Sequence, residues 1–117
     1  LNEMQCKCGC VKCAMDELYM RKLVQLRIYV RFPMPVTSGY RCPNYDLQIG
    51  GAGVHPTGHA SDIRIYGRRA WELLHIAMNL GFTGIGLCQK GPYKSRFIHL
   101  DDIPRDLEHS RPWVWTY

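Results

Sequence analysis

At 117 residues and 13.5 kDa the chain fits one domain, large enough to pack its own core, and its 46% apolar and 21% charged content argues against disorder. No apolar run approaches the ~20 residues that span a bilayer, which excludes a transmembrane helix and membrane insertion. The net charge of +5 and pI near 9.0 invite a nucleic-acid reading, but the basic residues are scattered and match no basic arm, zinc-finger helix or RNA-binding aromatic motif; they suit a solvated surface or an anionic polymer.

Residues 1–13 read as an irregular, cysteine-rich lead-in, and Leu1 to Cys6 lack the basic segment and apolar core of a signal peptide. Cys6, Cys8, Cys10 and Cys13 crowd this lead-in, while Cys42 and Cys88 stand apart. Three readings stay open: a second zinc held by those four thiols, disulfides that draw on a distant partner such as Cys42, or unpaired thiols. Against the zinc reading, the usual knuckle has two separated Cys pairs, and here there is one cluster.

From Ala14 the apolar residues Met15, Leu18, Tyr19, Leu23, Leu26 and Val30 recur at helical spacing, with Pro33 and Pro35 as the stop. Met34 to Ser38 is a short extended segment. Pro43 to Asp46 can start one helical turn, and Gly50 to Gly53 must be a loop. Those glycines are not a phosphate cradle, for no Gly-Lys-Ser/Thr follows. Ala60 to Tyr66 reads as a strand broken by Gly67. Arg69 to Leu80 is a second amphipathic helix, with Leu73, Leu74, Ala77 and Leu80 inward and Gly81 as its C-terminal stop. Phe82 to Cys88 and Arg96 to Leu100 are the strands of a hairpin with a long loop, and the aromatic tail, residues 104–117, packs back on the body. The expected fold is α+β, a mainly antiparallel sheet with two principal helices packed against it.

Chemistry concentrates in Ser38 to Asp62 and in Phe97 to Asp101. His55 lies in a glycine-flanked loop and Asp62 on a strand, so this is not a helical His-Glu-x-x-His pattern. Strand alternation puts Phe97, His99 and Asp101 on one face, and His99 reaches the same pocket as Asp62 if the two strands share a sheet. Two histidine nitrogens and a carboxylate oxygen suit a zinc site that keeps one position open.

Gly53-Val54-His55-Pro56-Thr57-Gly58-His59-Ala60-Ser61-Asp62 resembles the Ser-x-His-x-x-Gly-x-Ala-x-Asp motif of the peptidase M15 family, with Gly53 where serine is usual. Ser38-Gly39-Tyr40-Arg41 is similar to a second segment of that family, and Phe97-Ile98-His99-Leu100-Asp101 to its final His-x-Asp strand. The resemblance spans about residues 6 to 103 and implies one peptidase domain over 1–117 with the zinc site on the sheet face. It implies a zinc peptidase of peptidoglycan stem peptides, either a D-Ala-D-Ala carboxypeptidase or an endolysin-type endopeptidase. It further implies His55, Asp62 and His99 as zinc ligands, Arg41 as the substrate-binding residue and action at the bacterial cell wall; the chain is expected to be a monomer. Where relatives carry a general base, three or two residues before the last histidine, this chain has Arg96 and Phe97. Asp101 is the nearest candidate, as base or, the favoured role, as a carboxylate that orients His99, and His59, in the motif's variable position, is a lesser one. The alternative is an inactive zinc-containing protein that binds the wall or serves a structural role.

Overall fold

Asp16 decides where the first helix begins. Its carboxylate accepts the Tyr19 N–H at 2.9 Å from an extended N-cap position, and α1 runs Glu17–Val30. The helix therefore starts after the cap rather than at Ala14. Tyr19, Leu23, Leu26 and Val30 form its buried stripe, while Leu18, counted among the apolar positions, faces solvent. Arg31, in the left-handed region at φ 56°, closes it. The structure is a computed structural model, and it describes residues 2–117.

The elements that follow are β1 (Val36–Ser38), α2 (Pro43–Gln48), β2 (Ala60–Arg64), α3 (Gly67–Leu80), β3 (Gly84–Cys88), β4 (Phe97–Asp101) and β5 (Trp113–Thr116). Pro43 opens α2 in the first turn, where its missing N–H costs nothing. Gly81, at φ 93°, stops α3 as expected. The α3 helix starts at Gly67, ahead of the expected Arg69; it buries Ala70, Leu73 and Ala77, and Leu74 and Leu80 are half-buried against the same core.

The sheet order is β1-β2-β4-β3-β5. The β1–β2, β2–β4 and β4–β3 pairs are antiparallel, the last being the expected hairpin, but β5 adds to β3 in parallel. The sheet is thus mixed, and the aromatic tail is one of its edge strands. The last residue of β4, Asp101, and the first of β5, Trp113, both lie beside Gly84 at the start of β3, so the chain reverses once at that end of the sheet and runs on alongside β3.

Alternation divides the sheet into two working faces. Ile63, Ile98 and Leu100 join the buried side chains of α1 and α3 in the core. Tyr19 is fully buried at this junction, its hydroxyl 2.6 Å from Ser61 Oγ on β2 and donating to the Leu100 carbonyl on β4 at 2.9 Å. One helix residue thereby clamps both strands from behind. The opposite face carries Asp62, His99 and Asp101. Among the described residues no helix is long and apolar enough to cross a membrane.

Candidate metal centre

Asp62 on β2 and His99 on β4 are direct cross-strand partners, so the register alone places them side by side. His55 comes from a one-turn 3-10 helix, His55–Thr57, that ends at Gly58 in the left-handed region (φ 78°). A Cβ at Gly58 would also collide with the Ala14 carbonyl, so only glycine lets the turn seat against the chain leading into α1. His55, Asp62 and His99 are all buried, and one ligand atom from each lies within 4.8 Å of the others.

The donor atoms can be named. Asp62 Oδ1 lies 3.4 Å from His55 Nε2 and 3.1 Å from His99 Nδ1. Donors about 2.0–2.1 Å from a tetrahedral zinc stand about 3.3 Å apart, so this spacing fits zinc. The remote ring nitrogens are held as well: His55 Nδ1 is 2.8 Å from the Gly39 carbonyl, and His99 Nε2 is 2.8 Å from Asp101 Oδ2. The contact to the carbonyl makes His55 Nδ1 the protonated nitrogen and leaves Nε2 free to coordinate.

Electrostatics follow from this crowding. Burial alone would raise the Asp62 pKa, yet its hydrogen bonds with His55 and His99 hold it well below the usual carboxylate range. Burial alone would lower His99, but hydrogen bonds with Asp101 and Asp62 lift it above its ordinary value. Asp62 and Asp101 thus bracket the His99 imidazole, and each carboxylate is also tied to an arginine, Arg41 and Arg111 respectively.

Arg41 lies at the rim of the same cavity, about 330 Å³, with His55, Asp62, Phe97, His99, Trp115 and Tyr117. Its guanidinium has five N–H donors. Ser38 Oγ, Asp46 Oδ1 and Asp62 Oδ2 take three of them, at 3.1, 3.1 and 3.5 Å, leaving two for a ligand. Asp46 is almost fully buried, and its other oxygen accepts the Gly53 N–H at 2.9 Å. One carboxylate thus fastens Arg41 to the loop that delivers His55. A side chain at Gly51 would run into that carboxylate.

Asp101 is wholly buried, and Arg111 grips it with a fork, Nε to Oδ1 at 2.9 Å and Nη2 to Oδ2 at 2.8 Å. Sequence reasoning missed Asp46, Arg111, Trp115 and Tyr117, since each acts through a contact made by the fold that no local pattern encodes. Arg96 turns outward over Tyr93, and Phe97 packs on Tyr117. His59, in the variable position of the motif, pairs with Asp102 at 2.7 Å and is not on the cavity wall. A larger cavity, about 720 Å³, opens between Pro33, Arg64, Tyr66 and Tyr93, but no histidine or carboxylate lines it.

The four-thiol reading needs one correction. The sulfurs that converge are those of Cys6, Cys8, Cys10 and Cys42, not Cys13, because the turn after β1 folds Cys42 onto the lead-in. None of the six cysteines is in a disulfide.

Against known proteins, no curated sequence matches this chain. A family model described as Peptidase M15 matches residues 1–101.

Proposed function

Because the chain belongs to the peptidase M15 family, we propose that it is a zinc metallopeptidase that hydrolyses peptide bonds in peptidoglycan stem peptides, as a D-Ala-D-Ala carboxypeptidase or an endolysin-type endopeptidase. The observation that carries this reading is the convergence of His55 Nε2, Asp62 Oδ1 and His99 Nδ1 at zinc-ligand spacing on the wall of an open cavity. The chemistry that a bound zinc supplies there is polarisation of the scissile carbonyl and acidification of water toward a pKa of about 7.

The chain's own residues divide the remaining work. His55 and His99 are aimed by Gly39 and Asp101 respectively, so each presents one defined nitrogen. Arg41 offers its two unused donors to the substrate's terminal carboxylate or to the oxyanion that develops on the carbonyl. Asp101 serves as a positioning residue: its oxygens are committed to Arg111 and His99, and it is shut off from solvent. Phe97, Trp115 and Tyr117 supply apolar wall that excludes water.

One observation favours a second reading. Apart from the three proposed ligands, the ionisable residues lining the cavity are Arg41 and Tyr117, and burial raises the Tyr117 pKa. Neither is a general base at neutral pH, which suits a wall-binding protein that keeps the metal without turnover. Zinc-loaded protein incubated with defined muropeptides and followed by mass spectrometry separates the two. A peptidase releases D-Ala or splits the stem, and His55→Ala abolishes the reaction along with metal at this site. Intact fragments that co-purify with the zinc-loaded chain would support the binding protein instead.

A further inference from the structure

The geometry points to a second, structural zinc site formed by Cys6, Cys8, Cys10 and Cys42, which pins the N-terminal arm to the turn that carries Arg41. Four sulfurs lie within 4.8 Å of one another. Cys8 Sγ is 3.4 Å from Cys6 Sγ and 3.6 Å from Cys42 Sγ. Those separations are far beyond a disulfide bond, about 2.05 Å. They approach the roughly 3.8 Å expected between sulfurs set tetrahedrally at about 2.3 Å around one zinc.

The surroundings are those of a thiolate site. The Cys42 N–H donates to Cys6 Sγ at 3.3 Å, a contact that stabilises negative charge on sulfur. Zinc binding converts four thiols into four thiolates and releases four protons, which leaves the centre with a net charge of −2. Lys12 lines the cavity around the cluster, and no carboxylate does, so the donor set is sulfur alone. Tetrahedral sulfur coordination selects zinc over magnesium or calcium. With four protein ligands, no position stays open for water, so this centre is structural rather than catalytic.

The backbone of the arm needs such a clip. Between the short 3-10 turn Asn2–Met4 and α1 the chain forms no regular structure. Its loop closes through the Cys6 N–H donating to the Lys12 carbonyl at 2.9 Å. Within that loop Gly9 and the β-branched Val11 both adopt left-handed φ, 94° and 54°. A valine there is strained and persists only where its surroundings hold it. Cys42 directly follows Arg41 and caps α2, so a metal at Cys42 restrains the one residue proposed to address the substrate.

This inference does not depend on the peptidase reading, and its test does not read activity. The 117-residue chain, purified reduced and without chelator, is expected to carry two zinc ions, and His55→Ala to keep one. In cobalt-loaded His55→Ala, thiolate-to-cobalt charge-transfer absorption is expected; Cys42→Ser should remove it and Cys13→Ser should not. In the unmutated zinc-loaded chain, alkylation mapped by mass spectrometry should modify Cys13 and Cys88 at least tenfold faster than the other four, and a chelator should erase that difference. Equal reactivity of all six thiols in the zinc-loaded chain overturns the proposal. So does a mass lower by two hydrogens per cystine, or absence of the thiolate band from the His55→Ala protein. The alkylation arm stands even where Cys42→Ser does not fold.

Discussion

Arg111 and Asp101 show how one residue pair can govern the centre from outside it. Asp101 is fully buried and Arg111 nearly so, and their fork of hydrogen bonds holds the carboxylate against His99. Burial would raise the Asp101 pKa, but hydrogen bonds with His99 and Arg111 bring it below the ordinary carboxylate range. Removing one partner of a buried pair leaves an uncompensated charge and costs about 3–5 kcal/mol. Arg111→Met should therefore lower urea-unfolding stability by about that amount. Arg111→Lys should recover little of it, since an ammonium cannot reproduce the two-pronged contact. A loss below about 1 kcal/mol in Arg111→Met would mean that His99 alone satisfies Asp101. None of this was legible locally, because Arg111 lies in a polar stretch with no period, ten residues from its partner.

At the scale of elements, the helices and inner strands were legible because burial imposes a period on them, whereas β5 was not. Residues Trp113 to Tyr117 are aromatic and β-branched, which favours a strand, but they alternate no apolar and polar side chains and most of them are exposed, so no period marks one. The mark lies instead in β3, whose alternate positions Gly84 and Gly86 were read only as strand residues. A side chain at Gly84 would occupy the space of the Asp101 carboxylate, and one at Gly86 would meet the Trp115 indole at 2.6 Å. Those two glycines let the buried carboxylate and the indole sit flat on the sheet, and Trp115 in turn packs on His99 with ring centroids 5.0 Å apart. Overpacking such a site costs about 1–3 kcal/mol. Gly86→Ala should thus destabilise the chain by that amount and shift the Trp115 indole N–H resonance. An unmoved resonance with full stability would show that the indole already has room.

Across the whole molecule, Ser38–Cys42 is the joint between the two proposed metal sites. The Gly39 carbonyl accepts from His55 Nδ1, Tyr40 donates its N–H to the Met4 carbonyl at 2.9 Å, and Cys42 donates its N–H to Cys6 Sγ. A side chain at Gly39 would strike Met4, so the arm and the joint are fitted to each other. The family resemblance pointed to His55, Asp62 and His99, which the fold brings together, but the approach of residue 42 to residue 6 is a product of the fold, which is why Cys13 was the expected fourth thiol. The helix-covered face needs no metal, for Tyr19 and the apolar core hold β2 and β4 from behind. Removing zinc should then loosen the molecule unevenly. Each zinc at a thousandfold over its Kd contributes about 4 kcal/mol, which on a chain of this size is roughly 10–20 °C in Tm per site. Chelation should lower Tm by that order. It should also speed hydrogen exchange at the Cys6, Tyr40 and Cys42 amides while the β2 and β4 amides keep their protection. Uniform loss of protection would mean that the metals hold up the core itself, and unchanged exchange at Tyr40 and Cys42 would mean that the joint stands without them.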